Sequence, residues 1–122
     1  MCKLVEFTEG KYVAEIKRKY IENIVNQAAN CKNISRIMLF GSALEERCKT
    51  ESDIDIAVFG DSPKGQCFKS KEYKDFVRAV LLFDNTFEQD YDILYFRDGV
   101  KYDDAIIKDI ENGTEIYRRK TA

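Results

Sequence analysis

The sequence predicts an α/β (α+β) fold: a small mixed β-sheet with flanking helices. Three observations lead there. Two short apolar runs, residues 36–40 and 53–59, each stop at a glycine, Gly41 and Gly60. A third, residues 91–96, is intermediate in length and similar in character. Segments with apolar residues at helical spacing stand before, between and after these runs.

The first element is expected to be a helix over residues 8 to about 30. Val13, Ile16, Tyr20 and Ile24 recur at helical spacing, with Ile21, Val25 and Ala28 beside them. Lys11, Lys17, Lys19 and Glu22 fall on the other side, and Thr8 is the candidate N-cap. Residues 36–40 are almost unbroken in apolar character, which suits a strand buried on both faces. Residues 43–48 are read as a short helix. In 53–59, Ile54, Ile56 and Val58 alternate with Asp53, Asp55 and Ala57, the period of a strand. Residues 61–68 hold the only proline, Pro63, and are read as a loop. Residues 70–84 give a second long helix, with Tyr73, Phe76, Val77, Val80 and Leu81 on one face. Residues 91–96 form the third strand. A last helix spans about 103–112, with Ile106, Ile107 and Ile110 inward and Gly113 as its stop. Ile116 and Tyr117 follow as a short extended tail. The short connection between the first two strands favours an antiparallel pair. The helical crossover to the third favours a parallel one, so the sheet is mixed.

Composition bounds the function. A chain of 122 residues is read as one domain over 1–122, able to bury roughly 65% of its unfolded surface. Lys and Arg number 20 against 22 Asp and Glu, a net charge of −2, which disfavours general nucleic-acid binding. There is no histidine, so Ser-His-Asp catalysis, Cys-His catalysis and His-ligated zinc are excluded. Cys2, Cys31, Cys48 and Cys67 contain no C-x-x-C pair and read as small hydrophobes with reduced thiols. The absence of a signal-like or membrane-spanning run points to a cytoplasmic protein without membrane attachment.

Chemistry concentrates at two short motifs. Asp53 and Asp55 leave one face of the same strand, with backbones roughly 7 Å apart. Two carboxylates so placed repel unless a cation lies between them, and Mg²⁺ with oxygen ligands is the usual one. Asp92, at the head of the third strand, is a third candidate, with Asp90 of the same parity as its rival. Three carboxylates on adjacent strands can hold two metal ions about 3.5–4 Å apart, as used in displacement at phosphorus. Gly41-Ser42, closing the first strand, can present backbone N–H groups and a hydroxyl to phosphate. Each motif alone also fits an ordinary exposed strand face or a capped turn.

Taken together, Phe40-Gly41-Ser42, ten intervening residues, and Ser52-Asp53-Ile54-Asp55-Ile56-Ala57-Val58 resemble the signature of the DNA polymerase β-like nucleotidyltransferase superfamily. They are similar to its minimal nucleotidyltransferase branch, as is the close of the chain through Ile107, Gly113, Ile116 and Tyr117. The resemblance implies a polymerase β-like nucleotidyltransferase fold and transfer of a nucleoside monophosphate, AMP from ATP or another NTP, to a hydroxyl. It implies that Asp53 and Asp55 ligate both Mg²⁺ ions. Asp92 would complete one metal site and help deprotonate the acceptor, and Gly41 and Ser42 would hold the β- and γ-phosphates. One departure stands out. Many members carry Arg and Gly after the Gly-Ser, where this chain has Glu45 and Glu46, with Arg47 and Lys49 following.

A chain this short leaves no room for an acceptor-binding domain. It resembles the antitoxin half of toxin–antitoxin pairs, whose partner is a small helical HEPN-type protein modified on a tyrosine. Two alternatives are a non-catalytic module that neutralises its partner by contact, and a stand-alone small-molecule nucleotidyltransferase acting as a homo-oligomer.

Overall fold

The computed structural model describes residues 1–84 and 89–120. The order is β1 (Leu4–Thr8), β2 (Lys11–Ala14), a 3₁₀ turn (Glu15–Lys17), α1 (Arg18–Ala28) and β3 (Ile34–Phe40). A second 3₁₀ turn (Gly41–Leu44), β4 (Ile54–Gly60), α2 (Lys64–Lys69) and α3 (Lys71–Leu81) follow. The chain continues with β5 (Tyr91–Arg97), α4 (Ile106–Glu111) and β6 (Thr114–Arg118). The main sheet has four strands in the order β5-β4-β3-β6, and β1-β2 is a separate two-stranded hairpin. β3 pairs antiparallel with β4 and with β6, while β4 and β5 run parallel. The mixed sheet follows from the connections, as expected.

Apolar alternation sends the two faces of this sheet to different covers. Ile37 and Leu39 of β3, Ile54, Ile56 and Val58 of β4, and Tyr95 of β5 pack under α1 and α3. Helix α1 contributes Ile21, Ile24 and Ala28, and α3 contributes Tyr73, Phe76 and Val80. The opposite face carries Met38, Phe40, Ala57, Phe59 and Phe96 beneath Ile110 of α4. Helix α4 has only six residues, a length of about 9 Å, and so covers part of that face. The rest stays open near the C-terminal end of β3.

Several expectations are corrected. The first part of the expected long helix, residues 8–17, is the hairpin turn, β2 and a 3₁₀ turn, and Thr8 closes β1 instead of capping a helix. Gly10, at φ 74°, makes the turn that a continuous helix could not contain. Val5 and Phe7 against Glu6 and Thr8 follow the two-residue period of a strand, a pattern that overlaps the helical one. Ile16 is exposed, and Lys17, expected outside, is buried. The expected helix at 43–48 is only the 3₁₀ turn over Gly41–Leu44. The expected loop at 61–68 contains α2, which Pro63 launches because its φ of −57° already suits a helix start. Ser70 caps α3 by accepting a hydrogen bond from the Tyr73 amide at 3.1 Å. The extended tail is a true strand, β6, making four strands in the main sheet where three were expected. Gly113 does follow the cap of α4, its amide donating to the Ile110 carbonyl at 3.0 Å, and it also permits close approach, since a Cβ there would strike the Leu39 carbonyl oxygen.

Lys17 ties the hairpin side of the molecule to the strand starts. Its Nζ donates to the Thr50 carbonyl at 2.8 Å and to Gln89 Oε1 at 2.5 Å. Gln89 Nε2 in turn donates to the carbonyls of Ser52 and Asp90 at 3.0 and 2.7 Å. The Ile54 amide also donates to the Asp90 carbonyl, at 3.0 Å. Burial pulls the Lys17 ammonium below its usual range, against Cys48, Asp53 and Glu51, which favour the charged form. Replacing Lys17 by Ala strands two acceptors inside the protein. The expected loss is about 1–3 kcal/mol in denaturant unfolding, whereas Lys74→Ala on the exposed side of α3 should change stability by less than about 0.5 kcal/mol. Equal effects of the two substitutions would show that the Lys17 network carries no stability.

Candidate active site

The register of the sheet assembles one row of residues across four chain segments. Phe40 stands opposite Asp55, and Asp55 stands beside Asp92. Leu39 pairs with Thr114, which brings Gly113 next to Phe40. Parity puts Phe40, Asp55 and Asp92 on the face that α4 only partly covers. The open part of that face is a cleft of about 600 Å³. Phe40, Asp55, Asp92 and Gly113 line it, with Gly41, Leu44, Glu45 and Arg47 on one side and Ile106, Asp109 and Asn112 on the other.

Asp55 is half-buried and Asp92 is exposed. Strand neighbours lie about 4.8 Å apart, so the two carboxylates crowd each other. Burial pushes the Asp55 carboxyl above its usual range, and the charges of Asp92 and Asp53 push it further in the same direction. Gly41 is required beside it for two reasons. Its φ is 79°, and a Cβ at this position would collide with the Asp55 carboxylate. The backbone turn after β3 therefore passes as close to the carboxylate as a chain can.

The other expected residues sit nearby without lining the cleft. Asp53 precedes β4, is exposed, and acts on Asp55 through its charge. Ser42 follows Gly41 in the 3₁₀ turn and is partly buried. Asp90 is also exposed, and its carbonyl is occupied by the Ile54 amide at the start of the parallel pair. The register thus sets Asp92, and not Asp90, beside Asp55.

The donor set suits a hard cation. Asp55 and Asp92 offer carboxylate oxygens from adjacent strands, and burial of mutually repelling charge is what a divalent ion would relieve. Among the described residues no three acidic or thiol side chains are gathered into a ready-made ligand cluster. This arrangement fits Mg²⁺, which takes few protein ligands and fills its remaining positions with water and substrate phosphates.

Asp109 and Asn112 were not anticipated from the sequence. The signal was present: Ile106, Asp109 and Asn112 recur every three residues, on one side of a helix. Lys17 and Gln89 gave no such signal, because their roles depend on contacts between distant segments. The family model described as "Polymerase beta, Nucleotidyltransferase" matches residues 22–122. No curated protein matches the chain.

The strained charge of Asp55 has a measurable consequence. Its folded-state pKa is raised, so the folded protein holds that proton more tightly than the unfolded chain. The resulting penalty is absent below the unfolded value, about pH 3.9, and is complete above the folded one. Asp55→Asn should therefore raise the melting temperature of the metal-free protein in EDTA at pH 7. The advantage should shrink as the pH falls towards about 4. A variant that melts below the parent at pH 7 would mean that Asp55 is a structural carboxylate.

Proposed function

The chain belongs to the polymerase β nucleotidyltransferase family, and from that premise we propose that the cleft moves AMP from ATP onto a hydroxyl of a partner protein. The observation that carries this reading is the pair of carboxylates, Asp55 and Asp92, side by side next to the close turn at Gly41. Asp55 and Asp92 would hold Mg²⁺, with Asp53 as a further ligand from the segment ahead of β4. Bound there, the ions supply charge neutralisation of the phosphates and activation of the attacking oxygen.

The residues of the chain do the rest by position. Gly41, lacking a side chain, lets the triphosphate approach the backbone, and Ser42 can turn its hydroxyl towards it. Leu44 and Ile106 offer apolar flanks for the base. Asp92, the more exposed of the pair, would take the proton of an incoming hydroxyl. The attacking oxygen forms a bond to the α-phosphorus as the bond to pyrophosphate breaks, and the hydroxyl proton passes to the carboxylate. The cleft is open on the side away from the sheet, so a protein acceptor can close it with its own surface. A small helical partner presenting a tyrosine, as in toxin–antitoxin pairs, meets that need.

A second reading is favoured by one observation. Glu45, paired with Arg47, adds another negative charge to the cleft. A domain that holds its partner by contact alone would tolerate this better than an enzyme that must bind a triphosphate.

The test is incubation with ATP, Mg²⁺ and the candidate acceptor protein, followed by intact mass measurement. One AMP unit added to a tyrosine is the expected result. Asp55→Asn and Asp92→Asn should each cut the rate by at least about 100-fold, exceeding the loss typical of residues that only support a metal ligand, with far-ultraviolet dichroism unchanged. Asp90→Asn should stay near the parent. A stable complex without any mass gain would favour the contact-only module.

A further inference from the structure

We infer that Glu45 is a latch on Arg47: it holds the guanidinium in the nucleotide-free protein and yields it to the phosphates of an incoming NTP. The inference deepens the nucleotidyl-transfer reading of the cleft and rests on it.

Among the described residues lining the cleft, Arg47 is the one cation, against Glu45, Asp55, Asp92 and Asp109. A polyphosphate entering this space needs a cationic partner besides any metal. Arg47 has the planar, multi-donor group that engages phosphate oxygens two at a time. In the structure that group is occupied, because Arg47 Nε donates to the Glu45 carboxylate.

The geometry allows exchange. Arg47 is 69% and Glu45 47% exposed at the side chain, and exposed ion pairs of this kind are weak and easily traded. The backbone beneath them is pinned. The Glu45 amide donates to the Ser42 carbonyl at 2.9 Å, and the Cys48 amide donates to the Glu45 carbonyl at 3.1 Å. Cys48 itself is buried at 4% exposure. Arg47 can therefore leave Glu45 by side-chain rotation alone, without unfolding the segment that carries Gly41. Once released, the guanidinium gains several phosphate oxygens in place of one carboxylate, so the trade favours a polyanion over a singly charged ligand. Glu45 then sets a threshold: the ligand must carry enough charge to take Arg47 away.

Plain repulsion by Glu45 would also weaken anion binding, and a double-mutant cycle separates the two. Calorimetry with Mg²⁺ and a non-hydrolysable ATP analogue is run on the parent, Glu45→Gln, Arg47→Gln and the double variant. Mg²⁺ with inorganic tripolyphosphate is the parallel probe. Glu45→Gln should tighten binding about 2- to 5-fold, the range of an exposed ion pair removed. Arg47→Gln should weaken it by about 10-fold or more, as expected for a lost charged hydrogen bond. The double variant should match Arg47→Gln, because the latch acts only through the arginine. Melting temperatures without ligand should coincide.

A gain from Glu45→Gln that persists in the Arg47→Gln background would overturn the latch in favour of repulsion. So would unchanged binding by either single variant. If the cycle holds with both probes but no AMP transfer occurs, the latch stands and the transfer reading falls. If none of the four proteins binds either probe, both fall together.

Discussion

The constraint on which the rest depends is the placement of two carboxylates on neighbouring strands, Asp55 half-buried and Asp92 exposed beside it. Like charges side by side in a sheet are unfavourable, and burial makes them more so. The register of β4 on β5 imposes this, setting Asp55 against Asp92. A slip of one residue in either strand would turn that strand's carboxylate to the apolar face under α1 and α3, so the hydrophobic pattern itself holds the charges where they are. Ile54 and Ile56, both at 0% exposure, flank Asp55 in the chain and lock that parity. Stability supplied by the buried face is thus what keeps a destabilising pair on the open one.

The two layers of the molecule divide accordingly. Behind the sheet, α1 and α3 build the larger core, and the buried Lys17 reaches through Gln89 to the segments that begin β4 and β5. In front, a six-residue helix leaves a cleft instead of a core. Gly41 and Gly113 serve that cleft by letting backbone come close to Asp55 on one side and to β3 on the other. Rigid support on one face and incomplete cover on the other are together what turn a small sheet into a site.

Much of this was legible in the residues. Short apolar runs ending in glycine marked β3 and β4, strict alternation gave the faces of β4, and connection lengths gave the directions of pairing. The D-x-D pattern and the third carboxylate drew attention to Asp55 and Asp92, and parity alone left Asp90 as a rival until the register separated them. The N-terminal hairpin was hidden because Val13, Ile16, Tyr20 and Ile24 keep helical spacing across a strand, a 3₁₀ turn and a helix. β6 was hidden because its pairing partner, β3, lies far away in sequence, and five residues carry little pattern of their own. Lys17 was hidden for a chemical reason: a lysine is expected in water unless several distant acceptors converge on it.

Asp55 and Asp92 are the proposed cation site of the cleft. Paramagnetic broadening of backbone amide resonances by Mn²⁺, in the presence of a non-hydrolysable ATP analogue, tests it most directly. Amides at residues 40–42, 54–56 and 91–93 should be lost first, and Asp55→Asn should remove this selectivity. Broadening centred on Asp103 and Asp104, or spread evenly over the acidic surface, would contradict it.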